Sequence, residues 1–376
     1  MPLLIVILGI LLLFVLIAKF KLNAFIAFII VCVFVGVFQG MELDLIVEAI
    51  QIGMGNTLGF LVMILGLGAM LGKLVSDSGA AQRITSGLVA SFGIKHIQWA
   101  VVVAGFIVGI PMFYSVGFVI LIPLVFTIAA ATGLPLIYVG LPMLASLSVT
   151  HGFLPPHPAP TAIAGMFNAD VGKTLLYGII IAIPTIIVAG PLFTRTIKNI
   201  KATPLKEFYN PIVLKDDEMP GMGISLFTTL LPILLILCST LFTLFISGES
   251  MFKQLVVFIG NPVIAMLISV LVALYTLGIS RGKKMPELMN SVSNSVSSIT
   301  MILLIIAGAG ALKQILVASG VSDYIGALLN GSSISPLILA WLIATVIRVC
   351  VGSATVAGLT AAGIALPLVQ NSGVSP

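Results

Sequence analysis

Long apolar runs alternate with short polar stretches along this chain. Leu3–Ala18, Leu22–Phe38, Leu58–Leu71, Leu175–Phe193, Ile224–Ile246 and Val256–Ile279 are nearly free of charge. Each approaches the ~20 residues that an α-helix needs to cross a bilayer. Strands of a membrane barrel would alternate apolar and polar positions with a period of two, and these runs do not. The pattern predicts an all-α polytopic membrane protein. Leu3–Ala18 has roughly the length of a signal-peptide core. No basic region precedes it, no A-x-A-like cleavage site follows, and a second apolar run comes at once, so it is expected to stay as the first span.

Composition agrees. Hydrophobic residues make up 60% of the 376 and charged residues 8%, where a soluble domain carries roughly 25% charged residues. Cys32, Cys238 and Cys350 lie inside apolar runs at unrelated positions, which reads as buried-thiol usage and neither a disulfide framework nor a zinc site. The net charge of +5 follows from where the lysines sit and implies no nucleic-acid partner. Most of the 17 basic residues fall in four groups: Lys19/Lys21; Lys73/Arg83/Lys95; Arg195/Lys198/Lys201/Lys206/Lys215; and Arg281/Lys283/Lys284. Cytoplasmic loops collect Lys and Arg. An external N-terminus makes all four groups cytoplasmic and leaves an acidic external loop at 40–54, with Glu42, Asp44 and Glu48. Arg83 then reads as a positive-inside anchor.

The chain also resembles itself. "LVSDSGAAQRI" (74–84) is similar to "ILVASGVSDYI" (315–325), and "LIPLV" (121–125) to "ALPLV" (365–369), in the same order and at nearly the same offset. The charge-based topology puts Gly79 inside and Gly320 outside. The expectation is an inverted-topology repeat with discontinuous or re-entrant helices, a common plan for secondary transporters. The boundaries expected are N-terminal spans at 1–57, a first repeat at 58–195, a cytoplasmic linker at 196–223, connecting spans at 224–297 and a second repeat at 298–376.

Each half holds an apolar segment broken by small and polar residues: "GIPMFYSVGFVILIPL" (109–124) and "RVCVGSATVAGLTAAGIALPL" (348–368). Broken backbone is tolerated in a membrane only where protein or a water-filled cavity satisfies it. A third break is "THGFLPPHPAPTAIAG" (150–165), which carries two of the chain's three histidines. Its prolines exclude a regular helix across 155–160, and a new helix is expected to start at Pro160–Thr161, where N–H groups favour an anion. His151 and His157 read equally well as proton carriers or carboxylate donors and as backbone-bonded histidines. No third ligand lies near them for zinc. Arg348, just before Gly352–Ser353–Ala354–Thr355, suits a carboxylate or else snorkels to the interface. Asn56–Thr57, Asn168–Asp170 and Asn261 read as helix caps, and Lys313 has no assigned place.

"THGFLPPHPAPTAIAG", "FNADVGKTLLYG", "KHIQWAVV", "GSATVA" and "AGIALPL" resemble the gluconate permease (gluconate:proton symporter) family, end to end. The resemblance implies proton-coupled uptake of gluconate or a related sugar acid across a bacterial inner membrane, with no cofactor or metal. Its partners would be the anion, H⁺ and the bilayer, and homo-oligomerisation is compatible with it. By motif, it implies a substrate site at Ser115, Thr150, His151, His157, Thr161, Arg348, Gly352, Ser353 and Thr355, with His151 and His157 coupling protons. Ser115 stands where the family usually has an acidic residue. The second repeat is also shorter than the first, so a further C-terminal segment is expected beyond Pro376. Two other readings compete: a membrane-embedded enzyme using His151, His157 and Ser115, and a non-transporting fragment. The chain has no H-E-x-x-H or G-x-S-x-G for the enzyme and no G-x-x-x-x-G-K-[ST] for a pump.

Overall fold

The computed structural model describes residues 2–197, 200, 214–245, 250–321, 324, 336–351 and 354–371. Among these residues the fold is helical, with no strand. The helices in order are α1 (Pro2–Ala18), α2 (Ala24–Phe38), α3 (Leu43–Asp77), α4 (Ala80–Phe92), α5 (Ile97–Gly109) and α6 (Tyr114–Thr132). Then come α7 (Leu136–Phe153), α8 (Pro158–Met166), α9 (Val171–Ile187) and α10 (Phe193–Thr196), with a π-helical turn at Val188–Leu192. The rest are α11 (Met222–Phe245), α12 (Met251–Gly260), α13 (Pro262–Ala273), α14 (Met285–Ala318), α15 (Pro336–Val351) and α16 (Ala354–Asn371). Among the described residues, 5 helices are long and apolar enough to cross a membrane, or up to 7 if each of two bent pairs counts as one span. The chain is a multi-pass membrane protein.

Several boundaries differ from the sequence reading. The acidic stretch expected as a loop at 40–54 is mostly helical, because α3 already begins at Leu43. Glu48 lies on a long helix, and Asn56–Thr57 are inside it rather than caps. The run 256–279 is divided, since Asn261 accepts from the Val263 N–H at 3.0 Å and starts a fresh helix at Pro262. Asn168 does close α8, in the left-handed conformation at φ 54°. Cys32 is buried but Cys238 is exposed, because in a membrane an apolar run can face outward as readily as inward. The same inversion shows on α9. It exposes Tyr177, Ile180, Ile181 and Ile183 and buries Leu175, Gly178 and Ala182. Small residues let helices approach closely where no hydrophobic force drives them together.

Two compact units make up the chain. One comprises Met1–Met63, Pro158–Asp170 and Ile299–Pro376, the other Ile64–His157 and Val171–Ser298. In the first, α3 and α14 cross where a Cβ at Gly53 would lie 2.5 Å from the Gly310 carbonyl. In the second, α5 lies against α7 through Gly105 and Gly109. A Cβ on Gly105 would reach the Met143 carbonyl at 3.0 Å, and Ser146 Oγ donates to the Val102 carbonyl at 2.8 Å. Arg83 does more than anchor the chain to a surface. Its guanidinium donates to the Pro220 carbonyl at 3.0 Å and to the Asp216 carboxylate at 3.0 Å, and to the Asp216 carbonyl as well. It thereby fastens the end of the linker to α4.

The sequence repeat has a local structural counterpart. α3 has 35 residues and α14 has 34, and each ends in Ser-Gly with a left-handed glycine, Gly79 at φ 76° and Gly320 at φ 72°. The Ser78 N–H donates to the Leu74 carbonyl and the Ser319 N–H to the Ile315 carbonyl. The Gly79 N–H donates to Ser76 and the Gly320 N–H to Val317. Ser78 Oγ donates to Val75 and Ser319 Oγ to Leu316. One turn design is therefore used twice, at the offset of the sequence match.

A prediction follows for α3. An added Cβ at Gly72 would lie 2.7 Å from the Pro111 carbonyl, in the break between α5 and α6, whereas one at Gly66 meets nothing within 4 Å. Gly72→Ala is expected to destabilise the detergent-solubilised protein by about 1–3 kcal/mol. Gly66→Ala is expected to be neutral or to gain up to ~1 kcal/mol of helix propensity. Thermal unfolding of the two variants checks this, and equal midpoints would refute the close approach of α3 to the break.

Candidate functional site

The break at 150–160 takes a definite form. α7 runs through His151 to Phe153, Leu154 is extended, and α8 begins at Pro158. The peptide bond between Pro155 and Pro156 is cis. The non-helical stretch is thus only 154–157, shorter than the sequence suggests. Pro158 and Pro160 fall in the first turn of α8, where proline's missing N–H and fixed φ cost nothing. The helix starts two residues before the expected Pro160–Thr161. Of its first three residues only Ala159 carries an N–H, so the helix start is a weaker anion cradle than the sequence implies.

The two histidines meet. His151 Nδ1 and His157 Nδ1 lie 3.1 Å apart, with ring centroids separated by 4.8 Å. His157 Nε2 lies 2.8 Å from the Gly109 carbonyl oxygen at the end of α5. A carbonyl only accepts, so His157 Nε2 carries a hydrogen. In the neutral ring His157 Nδ1 is then an acceptor, and the hydrogen between the rings belongs to His151. Two facing nitrogens hold one hydrogen between them. His157 is 4% exposed and both of its nitrogens are engaged within the protein. His151 is half-buried and its ring meets Phe113 edge-on at 6.2 Å.

The other candidates divide between the units. Ser115, Thr150, His151 and His157 belong to one, and Thr161, Arg348 and Thr355 to the other. Ser115 is exposed in the first turn of α6. The break in the 109–124 segment occupies only 110–113, so Ser115 is already helical. Thr150 is buried and donates to the Ser146 carbonyl at 2.7 Å, so its hydrogen is spent locally. Thr161 is fully buried, and its hydroxyl has no hydrogen-bond partner. Arg348 is exposed near the end of α15, and Thr355 is half-buried in the first turn of α16. Gly352 and Ser353 lie outside the described residues, between α15 and α16. A cavity of about 390 Å³ in the first unit is lined by Gln39, Glu42, Glu48 and Gln314 among others. Its two carboxylates make it a poor host for an anion. No group of three or more His, Cys, Asp or Glu side chains suited to a metal occurs among the described residues.

A family model described as GntP family permease matches residues 1–376. The chain belongs to the GntP permease family. It is 52% identical over 376 residues to a high-affinity gluconate transporter of Escherichia coli (strain K12), an alignment covering 100% of this chain and 86% of that one. It is 48% identical to the Gnt-II system L-idonate transporter of the same organism, with the same coverage. Among solved structures, the YdaH transporter of Alcanivorax borkumensis superposes with a TM-score of 0.63 at 16% identity, over 94% of this chain and 83% of that one. At that identity the likeness speaks to the fold alone. As a GntP permease the chain is a transporter and not an enzyme, which removes the catalytic reading of His151, His157 and Ser115.

Sequence reasoning missed three groups in this permease. The Gly109 carbonyl is one; its signal was the end of α5 at Ile110–Pro111. Lys313 is another. It is half-buried, and its Nζ donates to the Met166 carbonyl at 3.3 Å, capping the last turn of α8 where a cation is favoured. The third is Thr360, whose buried hydroxyl also lacks a partner.

The histidine geometry makes the two rings unequal in stability. His157→Phe keeps the ring volume but leaves the Gly109 carbonyl unpaired, at an expected cost of about 1–3 kcal/mol. His151→Phe leaves that bond in place and should cost less. Thermal unfolding in detergent compares them, and a larger loss for His151→Phe would show that the Gly109 bond is not what holds the break.

Proposed function

We propose that this permease is a proton symporter that brings gluconate or a related sugar acid across a bacterial inner membrane. The observation that carries the reading is the imidazole pair at the break between α7 and α8. The relatives supply the substrate class, since they are named as gluconate and idonate transporters. The pair supplies a place for one proton. In the order set by the Gly109 bond, that proton goes to His151, the ring that is not fully buried. A protonated His151 offers a carboxylate a charge-assisted hydrogen bond. Anion and proton then favour each other's binding reciprocally, as linkage requires, and a neutral pair releases both.

Ser115 fits this assignment. A carboxylate there would be a second proton site, and a serine leaves the pair as the main one. Arg348 and Thr355 remain part of the proposed substrate site, with Gly352 and Ser353 between them in sequence. The repeated turns at Ser78–Gly79 and Ser319–Gly320 support an internal repeat, which the reading takes to be inverted.

Two experiments test the reading. In proteoliposomes, labelled gluconate should exchange in counterflow and accumulate when the outside is acidic. His151→Gln is expected to keep counterflow while losing the pH-driven accumulation, and Ser115→Glu to raise proton-driven uptake, because a desolvated carboxylate carries a proton at neutral pH. Accumulation by His151→Gln at the parent's level would remove the pair from coupling, and no gluconate counterflow by the parent would reject the substrate. For the repeat, cysteines placed at Asp77 and Ala318 should label from opposite sides of the membrane. Labelling from one side would make the repeat parallel.

A further inference from the structure

Hydroxyl side chains in membrane helices usually spend their hydrogen on the carbonyl one turn back. This permease follows the habit widely. Thr85, Thr150, Thr185, Thr194, Thr240 and Thr276 each donate to the carbonyl four residues earlier at 2.7–2.9 Å. Thr360 does not. It lies inside α16 with a helical carbonyl four residues back, it is 2% exposed, and its hydroxyl has no partner among the described residues. Thr161, on α8, is 0% exposed and equally unpartnered.

These two residues sit on helices that pack against each other within one unit. Along the contact, a Cβ at Gly358 would lie 3.0 Å from Ile163 Cδ1, and one at Gly363 would lie 3.9 Å from Met166 Cε and 3.8 Å from Lys313 Cβ. Thr360 stands one turn before Gly363 and so shares its side of α16, the side toward α8 and α14. A buried hydroxyl without a partner is costly to keep. Valine has nearly the same shape and would fill either place without that cost.

We propose that Thr161 and Thr360 are hydroxyl-reading residues, which hold their side chains unpaired to hydrogen-bond the C–OH groups of a polyhydroxylated substrate. The assignment of a sugar acid as cargo is the reading on which this rests. The hydroxyl chain of such an acid offers both donors and acceptors, and a threonine hydroxyl can answer either. A site built to bond a hydroxyl discriminates strongly against analogues that lack it. Both threonines are buried, so the substrate reaches them through a conformational step, as alternating access supplies. The two threonines decide which hydroxylated chain is accepted.

The test has two arms, both on the full chain. The first needs no transport. Thr360→Val is expected to raise the ligand-free melting temperature by about one to three degrees, since it removes an unsatisfied polar group at constant volume. A lower midpoint would show that the hydroxyl already has a structural partner, and would overturn the proposal whatever the substrate. The second arm measures gluconate competition in counterflow. Thr360→Val and Thr161→Val should each weaken gluconate about three- to tenfold, while affinity for an acid of the same length without hydroxyls stays unchanged. Thr360→Ser should restore gluconate. Thr229, the third such buried hydroxyl among the described residues, lies in the other unit, and Thr229→Val should leave gluconate affinity unaltered. Equal loss for both acids, or the same selective loss in Thr229→Val, would overturn the proposal. Absence of gluconate counterflow in the parent would instead count against the sugar-acid reading, and the melting arm would still decide for the threonines.

Discussion

A helix that ends inside a bilayer leaves carbonyl oxygens with no water to receive, and this constraint organises the permease around its breaks. α5 stops at Gly109 because Pro111 follows, and the Gly109 carbonyl takes a hydrogen from His157. His157 can supply it because the chain between α7 and α8 is held out of helix by Pro155 and Pro156. Glycines close the space around both breaks. Gly72 admits the Pro111 carbonyl, Gly109 lies against Leu147 and Thr150, and Gly178 lies against the Phe153 carbonyl. The end of α5 and the end of α7 therefore secure each other within one unit, where the Gly109 carbonyl, the Leu154 N–H and the His157 N–H each have a partner.

The same bond fixes the chemistry of the pair. Were His157 free, its ring could take a proton at either nitrogen. With Nε2 committed to a carbonyl, the pair has one hydrogen shared between its facing nitrogens. On the proposed reading, structural need and proton handling fall to different histidines six residues apart. The sequence could not distinguish them, because nothing in "THGFLPPHP" tells which ring reaches the end of another helix.

What was legible in the sequence was what depends on composition and local pattern. The spans came from apolar length, the family from the proline-histidine stretch, and the likeness of Ser319–Gly320 to Ser78–Gly79 from the repeated string. Element ends were less legible, for physical reasons. Glu42, Asp44 and Glu48 suggested a loop, yet α3 takes in the last two, since a helix extending past the hydrocarbon can carry charge. Pro158 and Pro160 suggested a break, yet a first turn accommodates them. Cys238 read as buried, yet apolar surroundings in a membrane include the lipid side. The candidate site shows the same division. His151 and His157 were visible as rare residues at a break. Thr360 was not, because one threonine among many small residues carries no signal until its hydroxyl is seen to lack the bond that others in the fold make.

That contrast bears on how a permease made mostly of apolar surface can recognise a polar solute. Many of its helix hydroxyls bond a carbonyl one turn back, which suits stability in lipid. Recognition requires the reverse, a small number of polar groups left for the solute to satisfy. On the proposed reading, the unpartnered hydroxyls of Thr161 and Thr360 meet that requirement. Such groups lower the stability of the empty protein, and the solute returns the loss when it binds. A protein that satisfied every buried hydroxyl internally would gain stability and lose the means to tell one hydroxy acid from another.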